Sequence, residues 1–300
     1  MHLGNGMVTT SCMAFGMATL ALGVGTAYLL HRSSKFQTPS APHPMHFALA
    51  IAGVFAMQTL NITAIPASSS GHLIGGFLLA CWFGPLYALL GISMILGTQS
   101  LLFADGGIMT LGLNSVLMGV IPAVIVYPLS KKLTGSFANK PAGQALGSWL
   151  SVMLGAFACS LFVLSQSQAQ EHAGQLIGSM LGVHALIGCI EALFTVCLIG
   201  VVSRIAKRND TLTVQSTLAC LVMASIVVIA SFGASPWPDG LDYNLQRLGL
   251  DTLPTFQNTI ALWPDYNSLV GTLTGNLMLL VVTALVVFVL SPMTPKKAGE

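Results

Sequence analysis

Apolar runs of roughly 20 residues, the length needed to cross about 30 Å of hydrocarbon, recur at residues 7–30, 45–65, 112–129, 145–165, 177–203, 214–232 and 269–290. A further apolar stretch, 70–103, is too long for one crossing and is interrupted at Gly84-Pro85. Gly-Pro punctuates a helix, so the stretch reads as two short crossings, 67–83 and 86–103, with the pair as a tight turn. A re-entrant hairpin uses the same break. Only structures that satisfy their own backbone polar groups survive in lipid, and runs of this length do so as helices. The pattern predicts an all-α, polytopic membrane helical bundle. About seven spans precede residue 209, and two follow it on either side of an external loop at 233–268. We therefore divide the chain into a unit 1–209 and a unit 210–300.

Charge placement orients the bundle. Arg32 and Lys35, Lys131, Lys132 and Lys140, Arg204, Lys207 and Arg208, and Lys296 and Lys297 form basic clusters, which the positive-inside rule assigns to the cytoplasm. An even number of crossings must then separate Arg32 from Lys131, and the N-terminus falls outside. The first apolar run has no Lys or Arg before it, is long for a signal sequence and closes on no A-x-A site, so it reads as a retained first helix. Composition agrees: 54% of residues are hydrophobic and 7% charged, with a net charge of +2. That excludes a soluble enzyme, a nucleic-acid binder and a secreted disulfide scaffold. The six cysteines all lie in apolar runs without a C-x-x-C pair and read as packed thiols. No P-loop and no H-E-x-x-H occurs.

The few polar groups carry the chemistry. The chain begins Met1-His2-Leu3-Gly4. A free terminal amine, the deprotonated backbone nitrogen of His2 and the His2 imidazole can close fused chelate rings on one divalent ion. One further imidazole completes a square of nitrogens, a set suited to Ni(II) or Cu(II) and acceptable to Co(II). The amine must be uncharged to bind, so affinity rises with pH. His72, after the Ser-rich turn ending Ser69-Ser70-Gly71, starts a span, and an ionisable residue there is a candidate functional group. Asp105-Gly106-Gly107 through Asn114 forms an external Gly-rich loop able to close over a site; Ser70, Asp105 and Asn114 are candidates to orient ligands. His184 and Glu191, seven apart on one helix face, form an intramembrane polar pair with a structural role favoured. Ala48, Ala52 and Ala56 make a small-residue stripe that suits close helix packing, within the bundle or against a partner.

These residues resemble the CbiM/NikM family, the substrate-binding S components of energy-coupling-factor transporters for cobalt or nickel. The resemblance lies in Met1-His2-Leu3 with Gly6, Ser70-Gly71-His72-Leu73-Ile74-Gly75-Gly76, Asp105-Gly106-Gly107-Ile108 with Gly112 and Asn114, and Gly182-Val183-His184-Ala185 with Glu191. Beyond it, Trp237-Pro238-Asp239-Gly240-Leu241-Asp242 resembles the CbiN/NikN-like PDGLE domain, fused here at 210–300. The resemblance implies that Met1, His2 and His72 hold Co2+ or Ni2+ as transported substrate, with no organic cofactor. It implies a transmembrane coupling subunit, contacted through Ala48, Ala52 and Ala56, and ATPase subunits as partners. It implies a prokaryotic plasma membrane, and no enzymatic activity.

Two other classes compete. An intramembrane serine protease would use Ser70 and His72, but G-x-S-G is missing and a dyad needs its members on separate helices. A vitamin-binding S component needs a roomy aromatic pocket.

Overall fold

The computed structural model describes residues 1–33, 42, 44–59, 61–65, 69–208 and 237–250. The proposed C-terminal spans at 214–232 and 269–290 lie outside the described residues. Helix α1 (Thr10–Arg32) opens at Thr9, whose side chain accepts a hydrogen bond from the Cys12 amide, satisfying one of the donors a helix start leaves unpaired. Met13, Gly16, Gly23 and Ala27 are buried, while Phe15, Met17, Leu22 and Leu29 are exposed. An apolar outer surface of this kind suits lipid, since no polar face needs water.

Helix α2 (Pro44–Gln58) is followed by an antiparallel pair of short strands, β1 (Ile62–Ile65) and β2 (Ser69–Gly71). Helix α3 (Gly76–Thr98) runs into a π-helical turn, Gln99–Phe103. Helix α4 (Leu111–Thr134) is π-helical over Val116–Val126. Helix α5 (Pro141–Val163) and the long α6 (Ala173–Arg208) pack extensively on each other. Helix α7 (Gly240–Arg247) is short and amphipathic.

Among the described residues five helices are long and apolar enough to cross a membrane: Thr10–Arg32, Gly76–Phe103, Leu111–Thr134, Pro141–Val163 and Ala173–Arg204, with the shorter α2 beside them. The chain is a polytopic helical membrane protein, and the described part of the range 67–83 is not one continuous helix. Residues 69–71 are strand, and helix starts only at Gly76. Gly84, at φ 78° and ψ 174°, then breaks the helix next to Pro85, a backbone setting that glycine reaches without a Cβ penalty. Residues 76–83 therefore rise about 12 Å at 1.5 Å per residue, far short of a bilayer core. Apolar composition alone overcounted, because this stretch is buried inside the protein and spends part of its length on a strand pair.

What pins that strand pair and turn is Glu191. From the middle of α6 its two carboxylate oxygens accept the Ile74 and Gly75 amides at 2.7 and 2.8 Å. Gln58 donates to the Ile74 carbonyl at 2.7 Å. The start of α3 is thus capped by another helix.

Candidate metal centre

The first nine residues do not trail into solvent. Leu3 is fully buried and its peptide is gripped on both sides. Its amide donates to Asn114 Oδ1 at 2.9 Å, and its carbonyl accepts from Asn114 Nδ2 at 3.0 Å, Thr110 Oγ1 at 2.5 Å and the Gly107 amide at 2.9 Å. Asn5 Oδ1 accepts the Met109 amide at 2.9 Å, and Gln166 donates to the Gly6 carbonyl at 2.9 Å. The Gly-rich loop 105–110 and the start of α4 therefore hold the N-terminal segment as a plug. Asn114 holds the Leu3 peptide, one residue from His2.

This plug carries Met1 and His2 to His72. Met1 is 4% exposed, and its terminal nitrogen lies 3.2 Å from His72 Nε2. The His2 and His72 rings stack with centroids 4.7 Å apart and planes 21° from parallel. His72 Nδ1 faces the Leu73 carbonyl at 3.2 Å, so Nε2 can keep its lone pair for the amine side. His2 Nδ1 sits 3.1 Å from Asp105 Oδ1. Burial, and then the nearby ammonium, push both imidazoles down to about 3; both rings are neutral, the form that ligates metal. Among the described residues no three His, Cys, Asp or Glu side chains converge in a metal-holding group.

Several findings were not legible in advance. Asp239 Oδ2 pairs with the Met1 amine at 3.0 Å. Burial opposes the amine's charge, but Asp239 outweighs it and lifts the amine above its ordinary value; the same ion pair holds Asp239 below the usual carboxylate range despite its own burial. Gln99, on the π-helical turn, is fully buried with neither amide atom hydrogen-bonded. It lies against the His2 ring, whose Nε2 is likewise buried and without a hydrogen bond. π-Turns cluster at functional sites, and a polar amide inside an otherwise apolar run was the signal in the sequence.

Other expected contacts differ. His184 and Glu191 do not pair: His184 Nδ1 faces the Met180 carbonyl at 2.8 Å, and Glu191 is engaged with Ile74 and Gly75. The Ser70 hydroxyl donates to the Trp237 carbonyl at 2.6 Å. That removes Ser70 as a partner for His72 and with it the protease dyad. Ala48, Ala52 and Ala56 are 5, 8 and 3% exposed, so the stripe is covered within the chain and presents no open face to a coupling subunit. The cavity lined by Met1, Gly71, His72, Ile74, His184, Ile187 and Gly240 is about 10 Å3, room for a water and not for a vitamin.

Comparison with known proteins agrees with the fold. Residues 2–209 match the family model CbiM, described as the cobalt uptake substrate-specific transmembrane region. A putative fused nickel transport protein NikMN from Archaeoglobus fulgidus is 28% identical over 230 residues, 73% of this chain and 75% of that protein. A probable fused nickel transport protein LarMN from Lactiplantibacillus plantarum is 28% identical over 214 residues, 64% of each chain. A crystal structure of a transition metal transporter superposes with a TM-score of 0.58 at 23% identity, covering 70% of this chain and 95% of that one.

Proposed function

Because this chain belongs to the CbiM family of cobalt-uptake substrate-specific transmembrane regions, we propose that it is the ion-capturing S component of an energy-coupling-factor importer for Co2+ or Ni2+. It is a transition-metal transport protein and not an enzyme. In this reading the ion is taken from the external face of a prokaryotic plasma membrane. It is held by the Met1 amine, the His2 backbone nitrogen and imidazole, and His72. A transmembrane coupling subunit and ATPase subunits then drive its release inward. Residues 210–300 act as the fused CbiN/NikN-like module, in keeping with the fused relatives.

The observation that carries this reading is the 3.2 Å approach of a buried terminal amine to His72 Nε2. Neighbouring nitrogens around a planar ion at about 2.0 Å per bond lie only slightly closer than that. The ion pair with Asp239 offsets the cost of burying the ammonium, and a nitrogen ligand set gives that buried end a use beside a neutral imidazole.

His2 must change its hydrogen bonding on loading. A neutral ring beside the Asp105 carboxylate donates from Nδ1, yet chelation with its own backbone nitrogen needs Nδ1 bare. The proton then belongs on Nε2, and Gln99 Oε1 is the acceptor at hand. Ligating histidines almost always donate their second nitrogen in this way, and losing that partner costs about 10–100-fold in affinity. Gln99→Leu is therefore expected to weaken Ni2+ binding by about 10–100-fold while leaving folding unchanged or improved, because it removes an unsatisfied buried amide. Competitive titration alongside thermal unfolding reads both effects.

The test of the function itself is metal analysis and competitive Ni2+ and Co2+ titration of the purified full chain with an untagged N-terminus. The expected result is one tightly bound ion per chain, lost by about 100-fold or more in His72→Ala, beyond what a supporting partner costs. A His72→Ala protein that binds as tightly as the parent would sink this ligand set.

A further inference from the structure

The segment 237–250 reaches the metal centre from the far side of the sequence, and every contact there is specific. Ser70 donates its amide to the Pro238 carbonyl at 2.8 Å and forms a parallel bridge with Asp239, adding the segment to the edge of β2. Asp239 is then the N-cap of α7, its Oδ1 accepting the Leu241 and Asp242 amides at 2.8 and 2.9 Å. With Oδ1 committed, Oδ2 is left to meet the Met1 amine at 3.0 Å. Gly240 closes the cavity beside His72 and His184: a Cβ there would stand 2.8 Å from His184 Cε1 and 3.1 Å from Val183 Cγ1. Leu241, Leu245 and Leu250 are buried beneath, so the segment is a built part of the protein.

We propose that Asp239 is a positioning residue, a clasp through which the C-terminal unit holds the Met1 amine beside His72 before the ion arrives. This rests on the proposed role of that amine as a ligand. An N-terminus is ordinarily among the least ordered parts of a chain unless tied down, and a binding-competent pose present only part of the time weakens apparent affinity by that fraction. The plug at Leu3 holds the backbone; the carboxylate holds the nitrogen itself. On loading, the ammonium gives up a proton to Asp239 or to water, and the freed lone pair would bond the ion in place of the ion pair, so the clasp acts on capture and not on retention.

The test starts from ion-free, full-length protein with its native start. A water-soluble amine-acylating reagent is applied, and Met1 acylation is followed by mass spectrometry with surface lysines as reference. Asp239→Asn should raise the Met1 acylation rate about 10-fold over the parent, while Gln246→Ala, on the exposed face of α7, leaves it unchanged. Gly240→Val keeps the carboxylate but drives the segment off His184, and should raise the rate in the same way; it carries the test if Asp239→Asn folds poorly. In stopped-flow mixing, Ni2+ should associate with Asp239→Asn about 10-fold more slowly and dissociate within twofold of the parent. Unchanged acylation in both variants would overturn the clasp. So would a kinetic effect confined to dissociation, which would make Asp239 a contact of the bound ion instead. The acylation arm needs no metal, so it can fail or succeed independently of ion capture.

Discussion

A chain carrying one extra glycine ahead of Met1 is expected to lose tight Ni2+ and Co2+ binding by about three orders of magnitude, roughly 4 kcal/mol, while keeping its helical content. The extension turns the terminal amine into an amide, which offers the ion no lone pair unless it too is deprotonated, and moves the new amine one residue, about 3.8 Å, away. There is no space to absorb the addition, since Met1 is buried and the adjoining cavity is about 10 Å3. The added residue must therefore back out of the pocket and draw Met1 from His72. Leu3 remains anchored by Asn114, Thr110 and Gly107, which is why the bundle is expected to survive. Circular dichroism and competitive titration on the same preparation separate the two. Tight binding by the extended chain would remove the amine from the ligand set.

The largest effect on stability is expected at Glu191. Replacing it with alanine strands two buried amides, Ile74 and Gly75, that it now satisfies. Each orphaned buried donor costs about 1–3 kcal/mol, so a loss of about 3 kcal/mol or more follows, or roughly 6–12 °C in Tm for a chain of this size. Glu191→Gln keeps one acceptor oxygen and should fall between. Because the two amides sit directly after His72, Glu191→Ala should also weaken Ni2+ binding even in protein held folded at low temperature. Thermal unfolding in detergent, with titration at 4 °C, checks both. An alanine variant as stable as the parent would mean that α6 does not anchor this turn.

Glu191 also measures what the sequence discloses. Its burial in an apolar run pointed to a structural role, and that is what it has. Its partner stayed open between His184 and a neighbouring helix, since helical spacing reveals neighbours on the same helix and says nothing of a backbone turn from elsewhere. Met1, His2 and His72 were legible as candidate ligands because their coordination chemistry is local; the structure puts the Met1 nitrogen 3.2 Å from His72 Nε2 and stacks the two rings. Asn114 was legible from its position at a helix start, although its grip on the Leu3 peptide was not. Asp239 escaped notice as a neighbour of the site: an aspartate before Gly240 signals a helix N-cap, but no pattern in the sequence reports that the cap's second oxygen meets residue 1. Residues 67–83 were misjudged for a related reason, since hydropathy does not distinguish lipid from protein interior.

Met1 and Asp239, joined by an ion pair, are 238 positions apart in the chain. Translation at about 5–20 residues per second delivers the carboxylate roughly 12–50 s after the first amino group leaves the ribosome. Throughout that interval the leading nitrogen lacks its Asp239 partner. The pocket is therefore completed late in biosynthesis, once about four-fifths of the 300 residues have been joined.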